Sequence, residues 1–175
     1  RHWSFMINKI YFLVVSVLVL LSFSCVGFSA CCTSGCTSST CDDKITFDFE
    51  TGDLQGWKVI SGKFDAMICK RTECRNRPGE KLNKQGSYFL STIEKADGSF
   101  DDTFTGRLIS PVIELTGPQI KLMAGGGGHP STYVALCTTD GREVMVARGV
   151  FDEQMKQYVW DASAYVGKKV FFMVV

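Results

Sequence analysis

Two adjacent carboxylate pairs, Asp101-Asp102 and Asp152-Glu153, are the first residues of this chain that suggest chemistry. General acid–base work needs one carboxyl held protonated in an apolar pocket beside an ionised partner. Both pairs lie in polar stretches, so they read as solvated loop residues rather than a hydrolytic dyad. A serine nucleophile needs a histidine base in reach. The chain has two histidines, His2 and His129, and no serine lies in a Gly-x-Ser-x-Gly elbow. His129 reads as an exposed loop residue or a hydrogen-bond donor to a ligand. Two histidines also exclude a histidine-rich metal site. The four glycines at 125–128 invite a phosphate-loop reading, but no Lys-Ser/Thr pair follows and no helix begins there. They read instead as backbone with unusual angles or one that lets a neighbour approach closely. A catalytic function is not expected, and a hydrolase is the least favoured reading.

Eight cysteines in 175 residues point to an oxidising compartment or to metal binding. Cys32, Cys36 and Cys41 lie in a polar linker, residues 31–43, CCTSGCTSSTCDD, with no histidine nearby. The spacing is no standard zinc pattern, so a small disulfide knot or interchain links are expected. The segment Cys69-Lys70-Arg71-Thr72-Glu73-Cys74 is polar between apolar neighbours. It suits a small loop closed by a Cys69–Cys74 bond, leaving Cys137 as the odd cysteine, either free or paired outside this chain. Around it lies a basic run: Lys70, Arg71, Arg75, Arg77, Lys81 and Lys84 against only Glu73 and Glu80, a net of +4. It reads as a solvated loop or, more sharply, as a contact for anionic glycans through Lys70, Arg71, Arg75 and Arg77. Nucleic acid is not expected, since the whole chain carries only +1.

The elements that must position these residues are short strands. Composition is that of a folded protein, 45% hydrophobic and 21% charged. Met6, Asn8 and Lys9 open an apolar run from residue 10 to 21, followed by small residues toward Ser29 and Ala30. That order is a secretory leader's, so residues 1–30 are expected to be upstream residues plus a signal peptide. A retained membrane anchor and a lipoprotein signal at Cys25 are the rivals. The mature chain, secreted or at the extracellular surface, is expected to hold no membrane span. Beyond the linker, Ile45, Phe47 and Phe49 alternate with polar residues, the period of a half-buried strand. Asp140-Gly141 is the strongest hairpin signal. Residues 151–157 are the one candidate for a short helical turn, and residues 168–175 read as a strand still in progress, as in a C-terminally truncated domain. About nine or ten strands with no room for crossover helices predict an all-β, antiparallel sandwich or barrel over residues 44–175. Trp57 and Trp160 are expected in its core.

The order of residues resembles a known family. Phe49-Glu50, Gly52, Leu54, Gly56 and Trp57 come first, then Gly86-Ser87-Tyr88-Phe89 and Gly106-Arg107-Leu108-Ile109-Ser110-Pro111. Ile120, the glycines at 125–128, Tyr133-Val134-Ala135-Leu136 and Asp140-Gly141 follow, and then Trp160-Asp161-Ala162-Ser163, Tyr165 and Gly167-Lys168. Over residues 45–175 the series is similar to the galactose-binding-like jelly-roll domains that accompany some family 32 glycoside hydrolases and other secreted multidomain proteins. The resemblance implies a jelly-roll sandwich that binds glycans or packs against neighbouring extracellular domains, without catalysis. Sugar binding needs aromatic and polar side chains on an open face or rim, and Tyr88, His129, Tyr133, Arg142 and Tyr158 are the candidates. The resemblance also implies a structural calcium ion (Ca2+) at Glu50, with its partner acid following the final strand beyond residue 175 and Asp161 or the carbonyls near Asp53 as contributors. The alternative function is a structural spacer with no ligand of its own.

Overall fold

The structure, a computed structural model, describes residues 5–13 and 46–175. Among the described residues, twelve strands form two antiparallel sheets. In chain order they are β1 (Phe5–Leu13), β2 (Thr46–Phe47), β3 (Lys58–Gly62), β4 (Ile68–Cys69), β5 (Phe89–Ser91) and β6 (Gly106–Ile109). There follow β7 (Ile113–Glu114), β8 (Gln119–Gly126), β9 (Val134–Thr138), β10 (Glu143–Ala147), β11 (Asp152–Asp161) and β12 (Lys169–Val174). The first sheet runs β11-β8-β1-β5-β4, with β2 paired to β1. The second runs β10-β9-β12-β6-β3, with β7 paired to β12. The all-β sandwich expected from the sequence is present. Among the described residues one turn of 3-10 helix, Ser163–Tyr165, is the sole helix, and no helix is long and apolar enough to cross a membrane.

The helical turn expected at residues 151–157 is not formed. Asp152–Asp161 is instead a ten-residue strand along β8. Its apparent helical spacing comes from a shift of register between Asp152 and Lys156, which breaks the period-two pattern a strand normally shows.

A second difference concerns Phe5–Leu13. The sequence sets this segment apart as part of a leader. In the structure it is the central strand of the first sheet, paired with β8 from Phe5↔Gly126 to Leu13↔Gln119 and with β5 at Met6↔Ser91 and Ile7↔Leu90. Ile7 and Ile10 are wholly buried and Met6 nearly so. An apolar run fits a strand buried on both faces as well as it fits a leader.

The main core lies between the sheets. Ile7, Ile10, Leu90, Ile120 and Leu122 of the first sheet meet Leu108, Val134, Leu136, Val170 and Phe172 of the second. Trp57 is buried there, edge-on to Phe47 at 5.6 Å and stacked on Phe172 at 6.4 Å, and Trp160 packs at the margin. A satellite cluster holds Met6, Cys74, Leu82, Phe89, Met123 and Met155. Its strand members alternate with core members: Met6 with Ile7, Phe89 with Leu90, Met123 with Leu122. It therefore covers the opposite face of the first sheet. The chain between β4 and β5 roofs it, tied down where the Met155 N–H donates to the Leu82 carbonyl at 2.7 Å.

Candidate functional site

Strand order fixes where a site can form. Four connections cross between the sheets at one end of the sandwich: β3 to β4, β5 to β6, β8 to β9 and β10 to β11. They enclose a cleft of about 530 Å³. Ser61 and Gly62 at the end of β3 lead into the first crossing, which adds Phe64. Thr92, Asp102, Phe104 and Thr105 come from the second, with Arg107 at the start of β6. His129, Ser131 and Thr132 come from the third, and Phe151 from the fourth.

Each contributor is held by local chemistry. Ser131 donates its N–H to His129 Nδ1 at 3.3 Å, and its hydroxyl lies 2.7 Å from the same nitrogen. With Nδ1 accepting the Ser131 N–H, Nε2 is the ring nitrogen left to donate. Phe151 holds a left-handed backbone, φ 58°, and is 56% exposed. Its ring lies against Gly128, where a Cβ would sit 2.8 Å both from the ring edge and from the Gly149 carbonyl. The glycine run thus allows a close approach, as expected, and the approach it allows is by the aromatic rim of the cleft. A bulky residue in such a conformation costs of order 1–3 kcal/mol, held here by the packing around it. Arg107 lies outward on β6, and its guanidinium makes no hydrogen bond or ion pair among the described residues. Asp102 is the single carboxylate side chain on the lining and has a partner of its own.

Of the five sequence candidates for ligand binding, His129 alone lines this cleft. Tyr88 packs on the main core under the Lys70 ammonium, 4.8 Å from its ring. Tyr133 donates its hydroxyl to Glu143 at 2.8 Å, under the Arg148 guanidinium. Burial and this acceptor push the Tyr133 phenol up from its ordinary value. Tyr158 donates to the Arg148 carbonyl at 2.7 Å. Arg142 belongs to the β9–β10 hairpin turn. Phe64, Phe104, Arg107 and Phe151 do not stand out in the sequence as ligand contacts. The one available signal is Arg107 in Gly106-Arg107-Leu108-Ile109, an outward cation in an otherwise apolar strand.

The basic run is not a free patch. Arg71 pairs with Glu94 at 3.2 Å and Glu153 at 3.1 Å, Arg75 with Glu94, and Arg77 with Asp152 and, at 2.9 Å, with Glu80. Glu94, Asp152 and Glu153 come from distant sequence, which a local charge count cannot see. Glu94 and Glu153 are buried. Glu153 also accepts the Arg75 N–H at 2.7 Å and the Asn76 N–H at 3.0 Å. Burial alone would raise its pKa, but these N–H groups and the Arg71 guanidinium outweigh burial and hold it below its ordinary value of 4.5. The Asp152-Glu153 pair is therefore a clasp between β11 and the 70–77 loop.

The three carboxylates expected around a calcium ion accept hydrogen bonds within the fold. Glu50 accepts the Ser87 N–H at 2.9 and 3.0 Å and the Tyr88 N–H at 3.1 Å. Asp53 closes its own turn with Thr51 and Gln55, and Asp161 does so with Ser163. Among the described residues no three His, Cys, Asp or Glu side chains converge. Nor is the expected Cys69–Cys74 bond formed: Cys69, Cys74 and Cys137 are free thiols. Cys69 is fixed in β4 with its sulfur accepting the Arg71 N–H at 3.4 Å, whereas the Cys74 backbone is tied to the Glu80 carbonyl. The other five cysteines lie outside the described residues.

No known family, no curated protein and no solved structure matches this chain.

Proposed function

We propose that this chain is a non-catalytic, secreted glycan-binding module. The observation that carries the reading is the cleft, which sets three phenylalanines beside Arg107, His129 and the hydroxyls of Ser131 and Thr132. Its volume falls in the range of small-ligand sites, roughly 300–1,000 Å³. Aromatic rings that stack on a pyranose, with a few donors at the rim, are the composition such a ligand requires. One carboxylate side chain on the lining offers no acid–base pair, which favours binding over hydrolysis. The resemblance to jelly-roll accessory domains agrees with this reading. Binding of the full chain to an array of neutral and acidic oligosaccharides tests it: retention by a defined sugar, lost in Phe151→Ala, is the expected result. A folded chain that retains no sugar on the array refutes it.

A spacer domain docking on neighbours is the second reading. It is favoured by β3, an edge strand exposed at every residue, with Ile60 at 54%. Self-association that disappears in Ile60→Lys, together with an empty glycan array, would select it.

A further inference from the structure

We propose that the cleft takes an acidic saccharide, whose uronate carboxylate is received by the Arg107 guanidinium while the sugar face lies on Phe151. The proposal deepens the glycan reading and rests on it. Four other arginines are engaged within the fold, and Arg142 of the β9–β10 turn does not line the cleft. Arg71, Arg75 and Arg77 face carboxylates, and Arg148 lies over the Tyr133 ring with a guanidinium nitrogen 3.5 Å from the Pro130 carbonyl. Arg107 is different: it lines a concave site and makes no hydrogen bond or ion pair among the described residues. The one lining carboxylate side chain, Asp102, is engaged in an interaction of its own. A planar guanidinium with open donors matches a carboxylate in a two-pronged fashion that a neutral hydroxyl cannot reproduce. His129 Nε2 adds a donor on the same lining. Phe151 supplies a face rather than a charge, so the two residues divide the work: Arg107 selects the acid and Phe151 holds the ring.

The test uses the full chain with oligogalacturonate and with the same oligomer fully methyl-esterified, so that only the charge differs. Titration calorimetry is expected to show the free acid bound at least roughly tenfold more tightly, the weight of a charge-assisted pair. Raising the salt concentration should narrow that gap. Arg107→Ala should abolish the preference, Arg107→Lys should recover part of it, and Phe151→Ala should weaken both oligomers alike. Thermal midpoints establish that each variant is folded, as expected for exposed side chains. Equal affinity for acid and ester, or a preference that survives Arg107→Ala, overturns the acidic assignment and leaves the glycan reading standing. If the folded chain binds neither oligomer, the acidic assignment falls, and the array of neutral sugars then decides the glycan reading separately.

Discussion

Glu153 shows how a residue that looks like chemistry becomes architecture. Its carboxylate accepts two backbone N–H groups and the Arg71 guanidinium while buried. Removing it leaves two buried N–H groups without their acceptor, while Arg71 keeps Glu94, so Glu153→Ala is expected to cost about 1–3 kcal/mol in urea denaturation. The pH dependence follows from the direction of its shift. Its folded pKa is depressed, so its stabilisation is complete above the ordinary 4.5 and is lost as pH falls below that value toward the folded pKa. Denaturation midpoints measured from neutral pH downward should fall more steeply in the parent than in Glu153→Ala. Cys137 gives a second prediction. Burial, with a smaller push from Glu143, raises its thiol to about 11. The thiolate is the reactive form, so native protein treated with an alkylating agent at mildly alkaline pH should leave Cys137 unmodified. Cysteine mapping after unfolding should find it labelled.

Among the elements, the β3–β6 pair builds one wall of the cleft and depends on a backbone that L side chains rarely adopt. Gly62 has φ 78°, and a Cβ there would collide with the backbone of Thr105 and Gly106. The register of β3 shifts between Val59 and Ser61, just before it. Gly62→Ala is therefore expected to destabilise by about 1–3 kcal/mol from backbone strain, with displacement of the Thr105 side of the cleft. The measurement is a paired one, thermal midpoint and glycan affinity, and both should fall. An alanine that leaves the midpoint unchanged would show that this wall is pliable.

For the whole molecule, the issue is the origin of the strand between β5 and β8. The same residues 5–13 carry a leader's pattern and the sandwich's central strand, and one processed molecule cannot use them for both. Ile10→Ala in the full chain should cost about 2–5 kcal/mol, the loss expected for a buried aliphatic side chain. In material secreted by cells, N-terminal sequencing decides which role prevails. A mature chain beginning near Ala30 should be indifferent to Ile10→Ala. It should also be less stable than the full chain unless another strand occupies the gap, because β8 and β5 would present unpaired edges and exposed core residues.

Alternating apolar residues such as Ile45, Phe47 and Phe49, closely spaced turns and the Asp140-Gly141 hairpin make the all-β class legible in the sequence alone. A strand's period is local and needs no partner to be read. Trp57 is likewise expected in the core from the sequence, and it is buried there. The cleft is not legible there, because its lining comes from four crossings separated by long stretches of chain, and only the packing of two sheets brings Phe64, Arg107, His129 and Phe151 together. The meaning of the charges is equally hidden. Arg71 and Arg75 look free in sequence because Glu94 and Glu153 are 23 and 82 residues away from Arg71, and electrostatic pairing depends on distance in space rather than along the chain.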